Sequence, residues 1–254
     1  MSETPVLVER DGGLATVTLN RPGRRNGVTV RMCVDLYRAV RNLAASDARV
    51  VILRGAGTDF SVGADLGGWD DQGEADAARQ GYGELAEVYH AATLLHAMPQ
   101  VTIAAIDGGC AGAAMGWAAA CDFRFATAET RFNTAFLNLG LSGDMGLPWT
   151  LTRLLGGAQA RELLLSPEKL TGADALRLGL VTRLFAREAL HEEAREAALR
   201  LAAYDALALR TMKANLLSAE RLDFHEYMEL ESARHLHLVA ESGLAARGGR
   251  SGSA

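Results

Sequence analysis

The sequence predicts an α/β fold built on a mostly parallel sheet, and three observations carry that prediction. Short apolar runs alternate with segments of helical spacing through the first three-quarters of the chain. Turns rich in Gly and Asp separate them, and after Pro148 the pattern becomes almost wholly helical. Such alternation indicates a layered fold rather than a sandwich.

Each element has its own reason. Residues 6–9 and 14–20 read as strands joined through Asp11-Gly12-Gly13, with Ala15, Val17 and Leu19 on one face, which is a hairpin signal. After a basic loop at 21–26, residues 29–45 place Met32, Leu36, Val40 and Leu43 at helical spacing, and 50–53 form a short apolar strand. A Gly-rich loop (55–68) and an acidic stretch (69–78) precede a helix that Pro99 ends. Residues 101–106 read as a buried strand. The small residues 110–121 read as a tightly packed helix, and 122–126 and 131–134 as short strands. Helices are expected at 149–155, 158–165 and 173–178, a strand at 180–185, and long helices to about 239; the Gly/Ser/Arg-rich residues 241–254 are expected to fray. The expected organisation is a core of residues 1–195 followed by a helical region, 196–254, that packs on a partner subunit.

Composition excludes several classes. A chain of 254 residues, 49% hydrophobic, buries roughly three-quarters of its unfolded surface without metal or disulfide staples. Its net charge of -5 argues against a nucleic-acid partner. Cys33, Cys110 and Cys121 are odd in number and lie in apolar runs, which suits a reducing compartment, and a cytoplasmic location is expected. No uninterrupted apolar run reaches the roughly 18 residues that suggest a membrane span.

Familiar motifs fail on inspection. Gly55-Ala56-Gly57-Thr58-Asp59-Phe60 follows a strand like a dinucleotide fingerprint, but Phe60 stands where the third Gly is needed. Gly140-Leu141-Ser142-Gly143-Asp144 has Asp144 in the final Gly position of a nucleophile elbow. Neither lysine follows a glycine, so no Walker A loop exists, and His191-Glu192 and His225-Glu226 lack the second His of a zincin. Neither a metal nor a bound cofactor is therefore expected. What survives is a pair of glycine-containing turns, 60–66 and 108–116, the second leading into a helix whose first N–H groups lack partners. Two such donors converging on a carbonyl oxygen make an oxyanion hole. Tight turns and close helix packing account for the same glycines.

Five blocks together carry a resemblance. They are Leu19-Asn20-Arg21-Pro22 with Arg25-Asn26; the Phe60 to Leu66 run, F-x-x-G-A-D-L; Ile103-Ala104-Ala105-Ile106-Asp107-Gly108; Cys121-Asp122; and Leu163-Leu164-Leu165 leading through Ala173 to Gly179-Leu180-Val181. Over nearly its whole length the chain resembles the enoyl-CoA hydratase/isomerase (crotonase) superfamily. The resemblance implies a spiral of strand-strand-helix turns with a helical C-terminal trimerisation region, a homotrimer or dimer of trimers, and an acyl-CoA thioester as substrate. It implies oxyanion donors at the backbone N–H groups of Ala64 and Ala113. It further implies CoA contacts at Arg24, Arg25 and Asn26, and around Ser61, Val62, Gly63, Asp65, Leu66 and Gly112.

The chain also departs from that pattern. Hydratases of the family use two glutamates, and aligning the Gly112 to Asp122 block puts Gly116 and Phe136 at those places. Neither moves a proton, so paired acid-base addition of water is not expected. Asp144 matches a position where some isomerases of the family carry a carboxylate and a dehalogenase branch carries a nucleophilic aspartate. The expected activity is thus double-bond isomerisation of an enoyl-CoA with Asp144 as proton shuttle and Phe136 at the acyl site. The alternatives are a silent acyl-CoA binder, a hydratase, or a hydrolase or dehalogenase acting through Asp144. For Asp144 itself a turn or helix cap is the competing reading. Asp65 is expected to cap a following helix, Asp122 to be a buried hydrogen-bonded carboxylate, and His90 and His96 to pack or face solvent. Trp69 is expected to wall the acyl pocket.

Overall fold

A computed structural model describes residues 4–65 and 86–241. The hairpin forms as expected, β1 (Val6–Asp11) pairing antiparallel with β2 (Leu14–Leu19). Helix α1 (Val30–Ala44) follows, capped by the Thr29 hydroxyl, which accepts from the Met32 N–H. Its apolar stripe of Met32, Leu36, Val40 and Leu43 is buried. β3 (Val50–Gly55) and β4 (Val101–Ile106) then extend the sheet in parallel. Between them the structure describes α2 (Ala86–Tyr89) and α3 (Ala91–Ala97), after which Met98 is extended ahead of Pro99. The acidic stretch 69–78, Trp69 included, lies outside the described residues.

The next segments repeat one unit: a strand in the large sheet, a short strand in a second sheet, then a helix. β4 leads to β5 (Gly109–Ala111) and α4 (Ala113–Ala120); β6 (Phe123–Ala126) leads to β7 (Arg131–Asn133) and α5 (Leu147–Leu165). This is the strand-strand-helix spiral expected from the sequence. The second sheet closes with β8 (Leu170–Thr171), followed by α6 (Gly172–Leu178) and β9 (Arg183–Leu184), which returns to the first. The large sheet has the order β1-β2-β3-β4-β6-β9 and the small one β5-β7-β8. Helices α7 (Leu190–Ala202), α8 (Ala206–Ala219) and α9 (Phe224–Glu241) complete the described chain.

Two expectations change in detail. Residues 110–121 are not one helix: Cys110 sits in β5, paired with Phe132, and Gly112 at φ 51° separates strand from helix, a backbone that glycine adopts without strain. The strand at 180–185 shrinks to two residues because the N–H groups of Leu180 and Val181 close the end of α6 on the Ala175 carbonyl. The two helices expected at 149–155 and 158–165 are present and meet at a break at Gly156, φ 77°.

Both faces of the large sheet are covered, as parallel strands require. Ala15, Val17, Leu19, Val51, Leu53, Ala104 and Ile106 face a core shared with α1, α3 and α4. Leu14, Val50, Ile52, Val101, Ile103 and Ala105 face α7 through Leu190, Ala194, Ala197 and Ala198. Helix α7 thus runs continuously across residue 195 and packs with the core. Parallel pairing of Arg54 with Ala105 brings the ends of β3 and β4 level, so the loops after them leave one edge together. That edge is where ligands of open parallel sheets bind.

The helical region is anchored by an ion pair whose ammonium is buried. The Lys213 ammonium on α8 is 3% exposed and donates to Asp122 Oδ2 at 2.7 Å and to the Gln100 carbonyl at 2.7 Å. Asp122 also accepts from the N–H and hydroxyl of Thr102, so it is hydrogen-bonded as expected, but its side chain is 27% exposed and not buried. Removing one partner of such a pair strands the other. Lys213→Ala is expected to lose about 3 kcal/mol in urea unfolding, and faster hydrogen exchange in α8 than in the sheet would locate the loss.

Candidate active site

The loops after β3 and β4 are hydrogen-bonded to each other. Phe60 N–H donates to the Asp107 carbonyl at 2.7 Å, Ser61 N–H to Gly109 at 2.9 Å, and Ala111 N–H to Ser61 at 3.1 Å, so the first turn extends the small sheet beside β5. Gly63 has φ 85°, and a Cβ there would lie 2.9 Å from the Ala111 oxygen. Only glycine allows so close an approach. The Val28 N–H bonds Gly63 O and the Asp65 N–H bonds Val28 O, which leaves the Ala64 N–H between them without an acceptor among the described residues. On the second turn Gly112 N–H donates to Asn133 at 3.0 Å. Ala113 is the first residue of α4, where an N–H has no intrahelical partner. The two turns touch: a Cβ on Gly112 would be 3.9 Å from Gly63 Cα. Two free N–H groups therefore sit on adjoining turns.

Asp144 lies just before α5, where Gly143, Met145 and Gly146 all take positive φ. Its Oδ1 is buried and has no hydrogen-bond partner among the described residues. Burial pushes the carboxyl up to about 6. The capping reading does not apply, because α5 is capped by Gly146 with no side-chain bond. What sets Asp144 in place is Gly116, one turn into α4. A Cβ there would stand 2.6 Å from Met145 Cβ and 2.9 Å from Met145 O, so the residue after Asp144 seats on bare helix backbone. Phe136 is 7% exposed. Its ring comes within 3.9 Å of where a Gly112 Cβ would be and 3.8 Å of where a Gly143 Cβ would be.

The basic loop is laced to the same turns. Asp65 accepts from Arg21 and Arg24, and Asp59 from both Nε and Nη2 of Arg25 and from the Gly109 N–H. Burial raises the Asp59 carboxyl, but the Arg25 and Gly109 donors outweigh it and hold the group below its ordinary value; at Asp65 the Arg24 hydrogen bond leads in the same direction. The Arg24 and Arg25 side chains remain 53% and 65% exposed. Two residues expected near the ligand turn their side chains inward. Asn26 is fully buried, its amide donating to the carbonyls of Ala56 and Asp59 and its oxygen accepting from Arg21 N–H. The buried Ser61 hydroxyl donates to the Asn26 carbonyl. Both side chains brace the loop. Asp65 clamps two arginines, and Leu66, with the segment it was expected to cap, lies outside the described residues. Val62, Gly63 and Gly112 line the junction of the turns.

His96 pairs with Glu220 at 3.0 Å and meets the Trp149 ring edge-on, while His90 is exposed at the start of α3; both roles are the expected ones. A cavity of about 580 Å³ lies under α8 between Trp149, Leu154, Met212 and Leu216 and touches none of Ala64, Ala113 and Asp144. No cluster of three metal-ligating side chains occurs among the described residues. Sequence reasoning missed Met145 as the occupant of the Gly116 notch, although a glycine inside an alanine helix signals close backbone approach. It also missed Asp59, whose partner Arg25 is 34 residues away and leaves no local signal.

The family model described as "Enoyl-CoA hydratase/isomerase" matches residues 9–248. The trans-2-decenoyl-[acyl-carrier-protein] isomerase of Streptococcus mutans is 31% identical over 89% of this chain and 86% of its own. A 4-chlorobenzoyl coenzyme A dehalogenase of Arthrobacter is 29% identical over 80% and 74%. A Thermobifida fusca chain solved in complex with CoA superposes with TM-score 0.86 at 31% identity, covering 94% of this chain and 95% of that one.

Two outcomes follow from the Asp144 seat. A carboxyl at about 6 when folded and 3.8 when not binds its proton more tightly in the fold. Its stabilising contribution is complete below the unfolded value and is lost as pH rises through the folded one. Asp144→Asn is therefore expected to stabilise the protein at pH 8 by up to about 3 kcal/mol and to change little at pH 4, read from urea midpoints. Gly116→Ala is expected to destabilise by about 1–3 kcal/mol through overpacking, measured the same way.

Proposed function

The chain belongs to the enoyl-CoA hydratase/isomerase family, and we propose that within it the protein moves a carbon–carbon double bond in an enoyl thioester, with Asp144 carrying the proton. The observation that supports this reading is the buried Oδ1 of Asp144, which has no hydrogen-bond partner among the described residues, on the turn that seats against the helix begun by Ala113. Asp144 takes a proton from C2 of a 3-enoyl thioester. The C–H electron pair moves toward the carbonyl, whose oxygen becomes the anion of a dienolate. The Ala64 and Ala113 N–H groups hold that oxygen, each worth roughly 10²–10³ in rate on the usual scale for such donors. Asp144 then returns the proton at C4, and the product is the 2-enoyl thioester. No atom is gained and no electron leaves, so the sequence needs no metal or redox group. Addition of water needs an acid and a base placed about a water molecule, and positions 116 and 136 supply neither.

The thioester carrier meets the basic loop. Arg24 and Arg25 each keep guanidinium N–H groups beyond those given to Asp65 and Asp59, and these suit phosphate. The backbone of Ser61, Val62 and Gly63 continues that surface toward Ala64. Subunits associate through the helical region as a trimer; Met212, Leu216, Phe224 and Leu236 on α8 and α9 are each at least 60% exposed, which leaves an apolar surface for a neighbour. Three buried cysteines, none in a disulfide, suit a cytoplasmic setting.

Incubation with 3-enoyl-CoA in heavy water tests the chemistry. Bond migration with deuterium in the product is expected, its rate rising with pH through about 6 as Asp144 ionises. Asp144→Asn is expected to lower turnover by roughly 10²–10⁴-fold. Full turnover in that variant, or a 3-hydroxyacyl product from the wild type, overturns the reading.

A further inference from the structure

We propose that Phe136 is a positioning residue that keeps water away from the buried Oδ1 of Asp144, so that this oxygen exchanges protons with carbon and does not activate water. The proposal rests on the reading of Asp144 as the base and names what restricts that base to one chemistry. The Phe136 ring bridges the two segments that define the site. One edge lies against Gly112, the residue before the Ala113 donor, and the other against Gly143, the residue before Asp144. Its backbone is pinned on both sides, the N–H donating to Thr134 at 2.8 Å and the carbonyl accepting from Leu139 at 2.9 Å and Leu141 at 3.0 Å. On the other side of Asp144 in the chain, Met145 is 5% exposed and seats its Cβ and backbone on Gly116.

A water held beside a carboxylate generally needs two to four polar partners. Asp144 Oδ1 is buried with no hydrogen-bond partner among the described residues, and the Phe136 ring packs at Gly143, the residue before Asp144. A glutamate at position 136, as the resemblance leads one to expect in a hydratase, would give water its second partner. Phenylalanine removes the partner and fills the volume. The same wall bears on hydrolysis through an aspartyl ester, since that path also requires water at this carboxylate.

The test is a ¹³C NMR titration of the Asp144 carboxyl, assigned by its loss in Asp144→Asn, in the wild type, Phe136→Leu, Phe136→Ser and Phe136→Gln. Phe136→Leu keeps an apolar wall and is expected to titrate with the wild type. Phe136→Ser and Phe136→Gln admit water or a donor and are expected to bind the proton about tenfold more weakly, one unit lower, with the acid limb of the isomerisation profile moving alongside. Near-UV circular dichroism and melting temperature confirm the fold, and Gln retains enough volume to report if Ser does not fold. A folded polar variant whose Asp144 titrates like the wild type overturns the proposal, whatever its activity. If the titrations shift as expected while no variant, nor the wild type, migrates a double bond, the water wall stands and the isomerase reading falls. If isomerisation is present and the titration is indifferent to position 136, the reverse holds.

Discussion

The contact between Gly116 and the backbone of Met145 is the constraint on which the rest of the site depends. Helix α4 runs through the core with all eight residues buried, and its N-terminus leaves the free Ala113 N–H at the edge of the sheet. For a carboxylate to stand near that N–H, the chain bearing it must lie directly on the helix. A glycine one turn in permits this, because a Cβ would overlap Met145 at 2.6 Å. One side chain is thereby excluded so that another can be placed. A long acidic residue at 116 and the present course of 143–146 exclude each other sterically, so the chain holds its carboxylate from the α5 side alone.

Electrostatics then separates Asp144 from the other acids nearby. Asp59 and Asp65 are more deeply buried by surface area, yet both stay below the ordinary carboxylate value because arginines bond to them. Burial without a donor acts alone on Asp144 and drives it the other way. The difference lies in which loop each belongs to. The basic 21–25 loop folds over the turn after β3 and neutralises what it reaches, and the turn before α5 receives no arginine. Two environments a few residues of structure apart thus yield paired, permanently charged braces and one carboxyl able to change state near neutral pH.

The large sheet and α1 were legible because their signals are local: alternation, a Thr cap and a stripe at helical spacing name Thr29, Met32 and Leu36 without reference to the rest of the chain. The helix boundary at Gly112 was not, since β5 exists only through pairing with β7 and with Ser61, both distant in sequence. Asn26 illustrates the same gap. An asparagine in a basic loop reads as a ligand contact, and only the fold shows its amide turned inward onto Ala56 and Asp59. Asp144 was located by its place in a pattern, but its lack of a partner is a property of the packed state. No neighbour in sequence announces that a carboxylate will be left alone.

That solitude opposes stability. The turn carrying Asp144 has Met145 at φ 48°, a conformation that non-glycine residues adopt at some strain, flanked by Gly143 and Gly146, which take positive φ freely. A buried charge without a donor adds to the strain once the group ionises. Both are held by what surrounds them: α4 on one side, Phe136 on another, and the Leu147 N–H on the Asp144 carbonyl. A sequence selected only for folding would place a donor there or an apolar residue. Keeping an ionisable group where it weakens the fold makes sense where its proton is used.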